Sequence, residues 1–211
     1  MEDIILVDKP KGITSFDVIR RLRRKLAIKK MGHAGTLDPL ATGLLLIGIN
    51  KGTKKLHDLI GLEKTYVAEV LLGQQTSTGD LEGEIIKEAV VGDLSGREVE
   101  KVLAEMIGTL ELAVPIYSAI KKDGRALYKY ARAGQEVEAP VQPMTILSAR
   151  LIENKNKVLV VEFEVKSGVY IRSVAEELGR RLSTVATIQN LRRTKIGSFS
   201  VENAMKLDAK D

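Results

Sequence analysis

Gly32-His33-Ala34-Gly35-Thr36-Leu37-Asp38-Pro39-Leu40-Ala41-Thr42-Gly43 is followed at once by Leu44-Leu45-Leu46-Ile47. The first twelve residues carry three glycines and a proline and read as a loop, neither helix nor strand. Asp38 stands directly before Pro39, which biases it towards an extended backbone. The four apolar residues after Gly43 have the length and character of a core strand. Upstream lies the basic segment Ile28-Lys29-Lys30. One carboxylate and one imidazole are thus held between a cationic segment and a core strand, an arrangement that presents an acid to a polyanion.

The chain around this stretch has 211 residues, enough to bury a core without staples. Hydrophobic residues make up 44% and charged residues 29%, ordinary values for a globular protein. The absence of cysteine excludes disulfides and thiolate metal sites and suits a reducing cytoplasm. The N-terminus has acids where a signal peptide has bases. No run approaches the roughly 20 apolar residues of a membrane span. A cytoplasmic protein without membrane association is the expectation. The net charge is +5. Arg20, Arg21, Arg23, Arg24, Lys25, Lys29 and Lys30 fall in one window without an acid, and Arg192, Arg193 and Lys195 form a second cluster. Such clusters are solvated faces or phosphate-tracking surfaces.

Working outward, Ile4–Val7 reads as a strand and Asp8–Gly12 as a turn. Thr14 or Ser15 is placed to cap a helix over Phe16–Ala27, with Val18, Ile19, Leu22 and Leu26 as its buried stripe and the arginines off it. A short helix over Lys51–Ile60 precedes a long strand, Thr65–Leu72. Gln74–Gly83 is polar and reads as a surface loop, and Glu84–Val90 as a strand. Ser95 and Glu98 form a capping box for a helix that Gly108 stops. Leu110–Lys121 reads as extended and Arg125–Ala133 as a helix. Strands follow near Thr145–Ile152 and Val158–Lys166. A helix over Ile171–Leu182, with a possible box at Ser173 and Glu176, leads to a strand over Ile188–Arg193. Runs of strands broken by single helices predict an α+β fold with a mixed, largely antiparallel sheet and flanking helices. No linker or repeat is visible, so residues 1–211 read as one domain.

The two histidines, His33 and His57, are not at metal-ligand spacing, and no phosphate-binding glycine loop or nucleophile elbow is present. No metal and no cofactor is expected. What remains is a carboxylate in an unusual loop. Aspartate is common in turns for purely local reasons. A free carboxyl with a pKa of about 3.9 is ionised at neutral pH and usable as a nucleophile or base.

The stretch Gly32–Leu45 resembles the signature loop of the TruB family of tRNA pseudouridine synthases. The resemblance extends collinearly through Lys64-Thr65-Tyr66, Gly73–Asp80, Tyr117–Gly124, Gly168-Val169-Tyr170-Ile171-Arg172 and Leu191-Arg192-Arg193 to Phe199. It implies a pseudouridine-synthase catalytic domain that isomerises uridine to pseudouridine at position 55 in the T-loop of tRNA, with Asp38 as the catalytic residue. Arg172 is implied as the partner of that aspartate, Tyr66 as the stacking partner of the flipped base, and Tyr170 as a pocket wall. Extruding a base costs a few kcal/mol, and stacking it on an aromatic ring returns roughly 1–3 kcal/mol. His33 is placed to fill the gap left by the flipped base. Lys9, Lys64, Arg20, Arg24, Lys29 and Lys30 are candidates for RNA phosphates. The T-arm of tRNA is the expected partner, with no protein partner and a monomeric state. The chain departs from the family at Val169, Glu177 and Leu112–Pro115. It also stops soon after Phe199, so the family's C-terminal RNA-binding domain, PUA-type or similar, is expected to be absent. The alternatives are a pseudouridine synthase with another RNA target and a T-loop-binding RNA-folding protein without turnover.

Overall fold

The structure, a computed structural model, describes residues 3–207. In chain order its elements are β1 (Ile4–Lys9), α1 (Ser15–Leu26), β2 (Met31–Ala34), β3 (Thr42–Ile49), a 3-10 turn over Asn50–Lys54, α2 (Leu56–Ile60), β4 (Lys64–Leu72), β5 (Gln74–Thr76), β6 (Ile85–Glu88) and α3 (Gly96–Glu105). They continue as β7 (Gly108–Ala113), β8 (Lys121–Lys122), β9 (Arg125–Ala126), α4 (Leu127–Arg132), β10 (Val141–Lys155), β11 (Val158–Val165), α5 (Ile171–Arg181), β12 (Ala186–Ile196), β13 (Phe199–Ser200) and β14 (Met205–Lys206). The chain forms two compact units. The first comprises residues up to Val67, Glu164–Ser167 and residues from Asn190 on; the second comprises Ala68–Phe163 and Gly168–Gln189.

The first unit is built on β3, which is buried at every residue after Thr42. It pairs antiparallel with β1, from Ile4 opposite Gly48 to Lys9 opposite Gly43. It pairs antiparallel with β2, from Met31 opposite Ile49 to Ala34 opposite Leu46, and parallel with the end of β12. Leu45, Ile47 and Ile49 meet Val7, Val18, Ile19, Leu22 and Met31 on one side. Leu44 and Leu46 meet Ala34, Leu56 and Ile196 on the other. A strand covered on both faces is apolar at successive residues, which is why the run after Gly43 shows no alternation. The predicted loop is shorter than its composition indicated. Met31–Ala34 is a strand, because β3 offers its edge to those backbone groups, and only Gly35–Ala41 is irregular.

Helix α1 begins with a capping box. The Asp17 amide donates to Thr14 Oγ1 at 3.1 Å, and the Thr14 amide donates to the Asp17 carboxylate at 2.9 Å. The Thr14 hydroxyl, then Arg20, hold the Asp17 carboxyl well below the usual carboxylate range. Val18, Ile19 and Leu22 form the buried stripe, Leu26 packs at its edge, and Ala27 ends the helix in the left-handed region. Lys51–Ile60 is not one helix. A 3-10 turn and the five-residue α2 share it.

In the second unit β7 and β10 pair antiparallel, from Val141 opposite Ala113 to Ile146 opposite Gly108. Helix α3 starts at the predicted Ser95–Glu98 box and packs on β10. Part of the predicted surface loop after Gly73 is β5, antiparallel to β6. The extended reading of Leu110–Lys121 holds for β7 and then gives way to irregular chain as far as β8. The box expected at Ser173 and Glu176 does not form: Tyr170 is the N-cap without a side-chain bond, and Ser173 Oγ donates instead to the Ala113 carbonyl at 2.6 Å. Pairings in the sheets are mostly antiparallel, with parallel pairs β1–β14 and β3–β12. This is the mixed, largely antiparallel α+β architecture predicted. Among the described residues no helix is long and apolar enough to cross a membrane.

Removing the α1 cap with Thr14→Ala is expected to cost about 1 kcal/mol. Leu22→Ala, at a side chain with no exposure, is expected to cost roughly 2–5 kcal/mol. Urea unfolding of the two variants beside the unmodified chain checks both values and their order.

Candidate active site

Asp38 sits half-buried in the irregular segment Gly35–Ala41 of the first unit. The peptide groups on either side of it are held by other elements. The Leu37 amide donates to Ser15 Oγ at 2.9 Å, and the same hydroxyl donates to the Leu37 carbonyl at 3.1 Å. The Pro39 carbonyl accepts from the Gly12 amide at 2.8 Å and from Lys9 Nζ at 3.3 Å. The Ala41 amide closes a turn on the Asp38 carbonyl at 3.1 Å. Leu37, Leu40 and Ala41 are buried beneath. The loop leaves β2 through Gly35 at φ +77° and joins β3 at Gly43, φ +104°. A Cβ on Gly43 would lie 2.2 Å from the Arg193 carbonyl oxygen, so only glycine allows that approach.

Two lysines expected at RNA phosphates lie inside. Lys9 has no exposed surface, and its ammonium donates to the carbonyls of Pro10 at 3.0 Å and Ile13 at 2.7 Å as well as Pro39. Lys64 is 6% exposed and donates to the carbonyls of Ile60 at 2.6 Å and Leu62 at 2.5 Å and to Ser167 Oγ at 3.1 Å. Burial, then the charge of Arg193, pushes its ammonium down to about 8. Both cations brace backbone, and their burial does not fit contact with a solvent-borne phosphate. The second basic cluster divides likewise. Arg192 forms a bidentate pair with Asp8 at 2.7 and 3.1 Å, Arg193 is 1% exposed, and Lys195 alone is exposed. On β12 neighbouring side chains face opposite ways. The spacing of Leu191 and Arg193, two residues apart on a strand, is the signal in the sequence that places Arg193 with the core.

The exposed cations expected to meet phosphates are on α1 and just beyond it: Arg20, Arg24, Lys29 and Lys30. Arg20 also bonds Asp17 and lies over the Phe16 ring. From Val18 to His57 the sequence holds ten lysines and arginines and a single acid, Asp38. Tyr66 is buried, on the same face of β4 as Lys64. Tyr170 and Arg172 belong to the second unit. Tyr170 is the half-buried N-cap of α5. Arg172 is 5% exposed; its guanidinium donates to the carbonyls of Thr78 at 2.7 Å and Tyr117 at 3.1 Å, which fixes its plane. One turn on, burial pushes the Glu176 carboxyl up against the opposing effect of Arg172. Among the described residues no group of three or more histidines, cysteines or acids is placed to hold a metal ion.

His33 lies on β2 opposite Ile47, with Nδ1 buried and without a hydrogen-bond partner. Burial, then the positive charge of Arg193, holds its imidazole below the ordinary 6.5. It is therefore expected to be neutral at pH 7. Below 6.5 the unfolded chain takes up the proton first, so the stability His33 contributes rises with pH up to about 6.5 and is lost as pH falls. An NMR titration of the imidazole resonances checks this; a midpoint at or above 6.5 contradicts it.

Comparison with known proteins gives the family and the fold. The family described as TruB family pseudouridylate synthase (N terminal domain) matches residues 23–171. The tRNA pseudouridine synthase B of Fusobacterium nucleatum is 45% identical over 96% of this chain and 70% of its own length. That of Leifsonia xyli is 40% identical over 97% and 70%. Among solved structures, a chain of a Cbf5-Nop10-Gar1 complex superposes with a TM-score of 0.76 at 26% identity, over 97% of this chain and 52% of that one. A chain of an H/ACA RNP bound to a substrate RNA containing 2'-deoxyuridine shares the fold, with a TM-score of 0.72 at 24% identity over 96% and 50%. This chain thus spans about half the length of those solved chains. With a signature loop that holds its lone aspartate between braced peptide groups, the chain belongs to the TruB family of pseudouridylate synthases.

Proposed function

We propose that this chain isomerises uridine to pseudouridine at position 55 in the T-loop of tRNA, with the Asp38 carboxylate carrying the chemistry. The observation that carries the reading is the loop itself. A single carboxylate stands in a long basic stretch, and the peptide groups on both sides of it are held by Ser15, Gly12 and Lys9. A reacting group held in one geometry pays its ordering cost during folding rather than at each turnover. Membership of the TruB family and the activity for which the relatives are named, tRNA pseudouridine synthase B, support the substrate.

In the reaction the bond between N1 and the ribose C1′ breaks, the uracil turns, and C5 bonds to C1′. The C5 proton leaves and N1 gains one, so the change is an isomerisation. Asp38 serves as nucleophile or proton-abstracting base. Tyr66, Tyr170, Arg172 and His33 are the residues assigned to the uridine and its surroundings. Arg20, Arg24, Lys29 and Lys30 are assigned to the RNA backbone, since they are exposed and cationic. Lys9 and Lys64 are left out of that set because their ammonium groups are occupied by backbone carbonyls.

Wild type is expected to convert the T-loop uridine of an unmodified tRNA transcript. Asp38→Asn is expected to slow conversion by more than about 10³-fold with tRNA binding kept. A transcript with cytidine at position 55 is expected to yield no pseudouridine in the T-loop. Pseudouridine mapping of the products checks all three. Binding by the wild type without turnover contradicts the enzymatic reading, and conversion only at another uridine contradicts the target.

A further inference from the structure

The Leu191-Arg192-Arg193 segment has no part in the reaction as described, yet Arg193 is among the largest fully buried side chains in the molecule. Its guanidinium donates from Nε to the Leu44 carbonyl at 2.8 Å and from Nη2 to the Gly35 carbonyl at 3.0 Å. Gly35 is where the Asp38 loop begins, and Leu44 is the third residue of β3, directly after Gly43. The backbone of Arg193 also lies beside Gly43 in the parallel pairing of β12 with β3. One planar group therefore ties together the two ends of the segment whose middle carries Asp38. Gly35 stands at φ +77°, the left-handed region that favours glycine, and a Cβ there would be in ordinary contact with Nη1 at 3.4 Å.

We infer that Arg193 is a positioning residue for Asp38: its guanidinium closes the base of the catalytic loop and so sets where the carboxylate stands. The inference rests on the proposed role of Asp38. The guanidinium suits the task because its donors diverge from a rigid plane and reach two carbonyls at once, whereas lysine offers one nitrogen on a flexible stem. The charge stays in place because carbonyl oxygens accept from it, as they do from Lys9 and Lys64 nearby. Arg193 acts through backbone, so it shapes the rate of the chemical step rather than the hold on RNA.

The test uses the full chain and an unmodified tRNA transcript, with wild type, Arg193→Lys, Arg193→Gln and Asp38→Asn side by side. Single-turnover conversion is expected to fall on the order of 10²-fold in both Arg193 variants, as for a reacting group displaced by about 1 Å. The dissociation constant for the transcript is expected to stay within about two-fold, a split that general unfolding would not produce. Amide exchange is expected to speed up at residues 36–43 and to stay unchanged in α1 and β1. Folded Arg193 variants with wild-type turnover and wild-type loop exchange overturn the inference. If the variants do not fold, native-state exchange of the wild type under rising denaturant decides. Loop amides that open together with β12 support the tie, and loop amides that exchange freely while β12 stays protected overturn it. A wild type that binds the transcript without converting it overturns the functional reading instead, and the exchange data then judge the tie alone.

Discussion

A loop that belongs to neither helix nor strand has backbone groups that no ladder satisfies, and buried backbone polar groups must find partners. Around Asp38 those partners come from far along the chain. Ser15 serves Leu37, Gly12 and Lys9 serve Pro39, and Arg193 serves Gly35 and Leu44. The rest of the first unit follows from this requirement. β1 delivers Lys9, α1 delivers Ser15 from its first turn, and β12 delivers Arg193, each against the doubly buried β3.

The same requirement explains why cations lie inside a basic protein. An ionised side chain taken from water needs acceptors around it. Lys9, Lys64 and Arg193 each meet at least two backbone carbonyls, so their charged groups hold irregular backbone in place. Their field has a local effect. Arg193 depresses both His33 and Lys64, although burial contributes more at each. Of the cations expected at RNA phosphates, those with exposed side chains are Arg20 and Arg24 of α1 and Lys29 and Lys30. Interior cations thus brace backbone, and the exposed cations are the set proposed to meet a phosphate backbone.

Arg172 repeats the device in the second unit. Its guanidinium is fixed by the carbonyls of Thr78 and Tyr117, so the turn after β5 and the irregular chain after β7 determine its orientation. Ser173, next to it, is tied to Ala113 at the end of β7. Segments singled out in the sequence for their resemblance, Gly73–Asp80 and Tyr117–Gly124, therefore have a physical role as supports for a buried arginine.

Elements whose signal is local could be read directly along the chain. The capping residues at Thr14 and Ser95, the buried stripe of Val18, Ile19 and Leu22 and the apolar run of β3 were all legible, because caps, helical spacing and runs of apolar residues act over a few residues. Features that depend on distant partners were settled by packing between elements. Met31–Ala34 became a strand because β3 supplied an edge. Ser173 bonded another element instead of capping its own helix. Lys9 and Arg193 turned inward where carbonyls remote in sequence, those of Pro39, Gly35 and Leu44, accept from them, and Lys64 where the remote Ser167 hydroxyl does so beside two local carbonyls. A lysine or arginine has the same composition signature on a surface and in a core, and what separates the two is whether the fold brings acceptors to the end of its side chain.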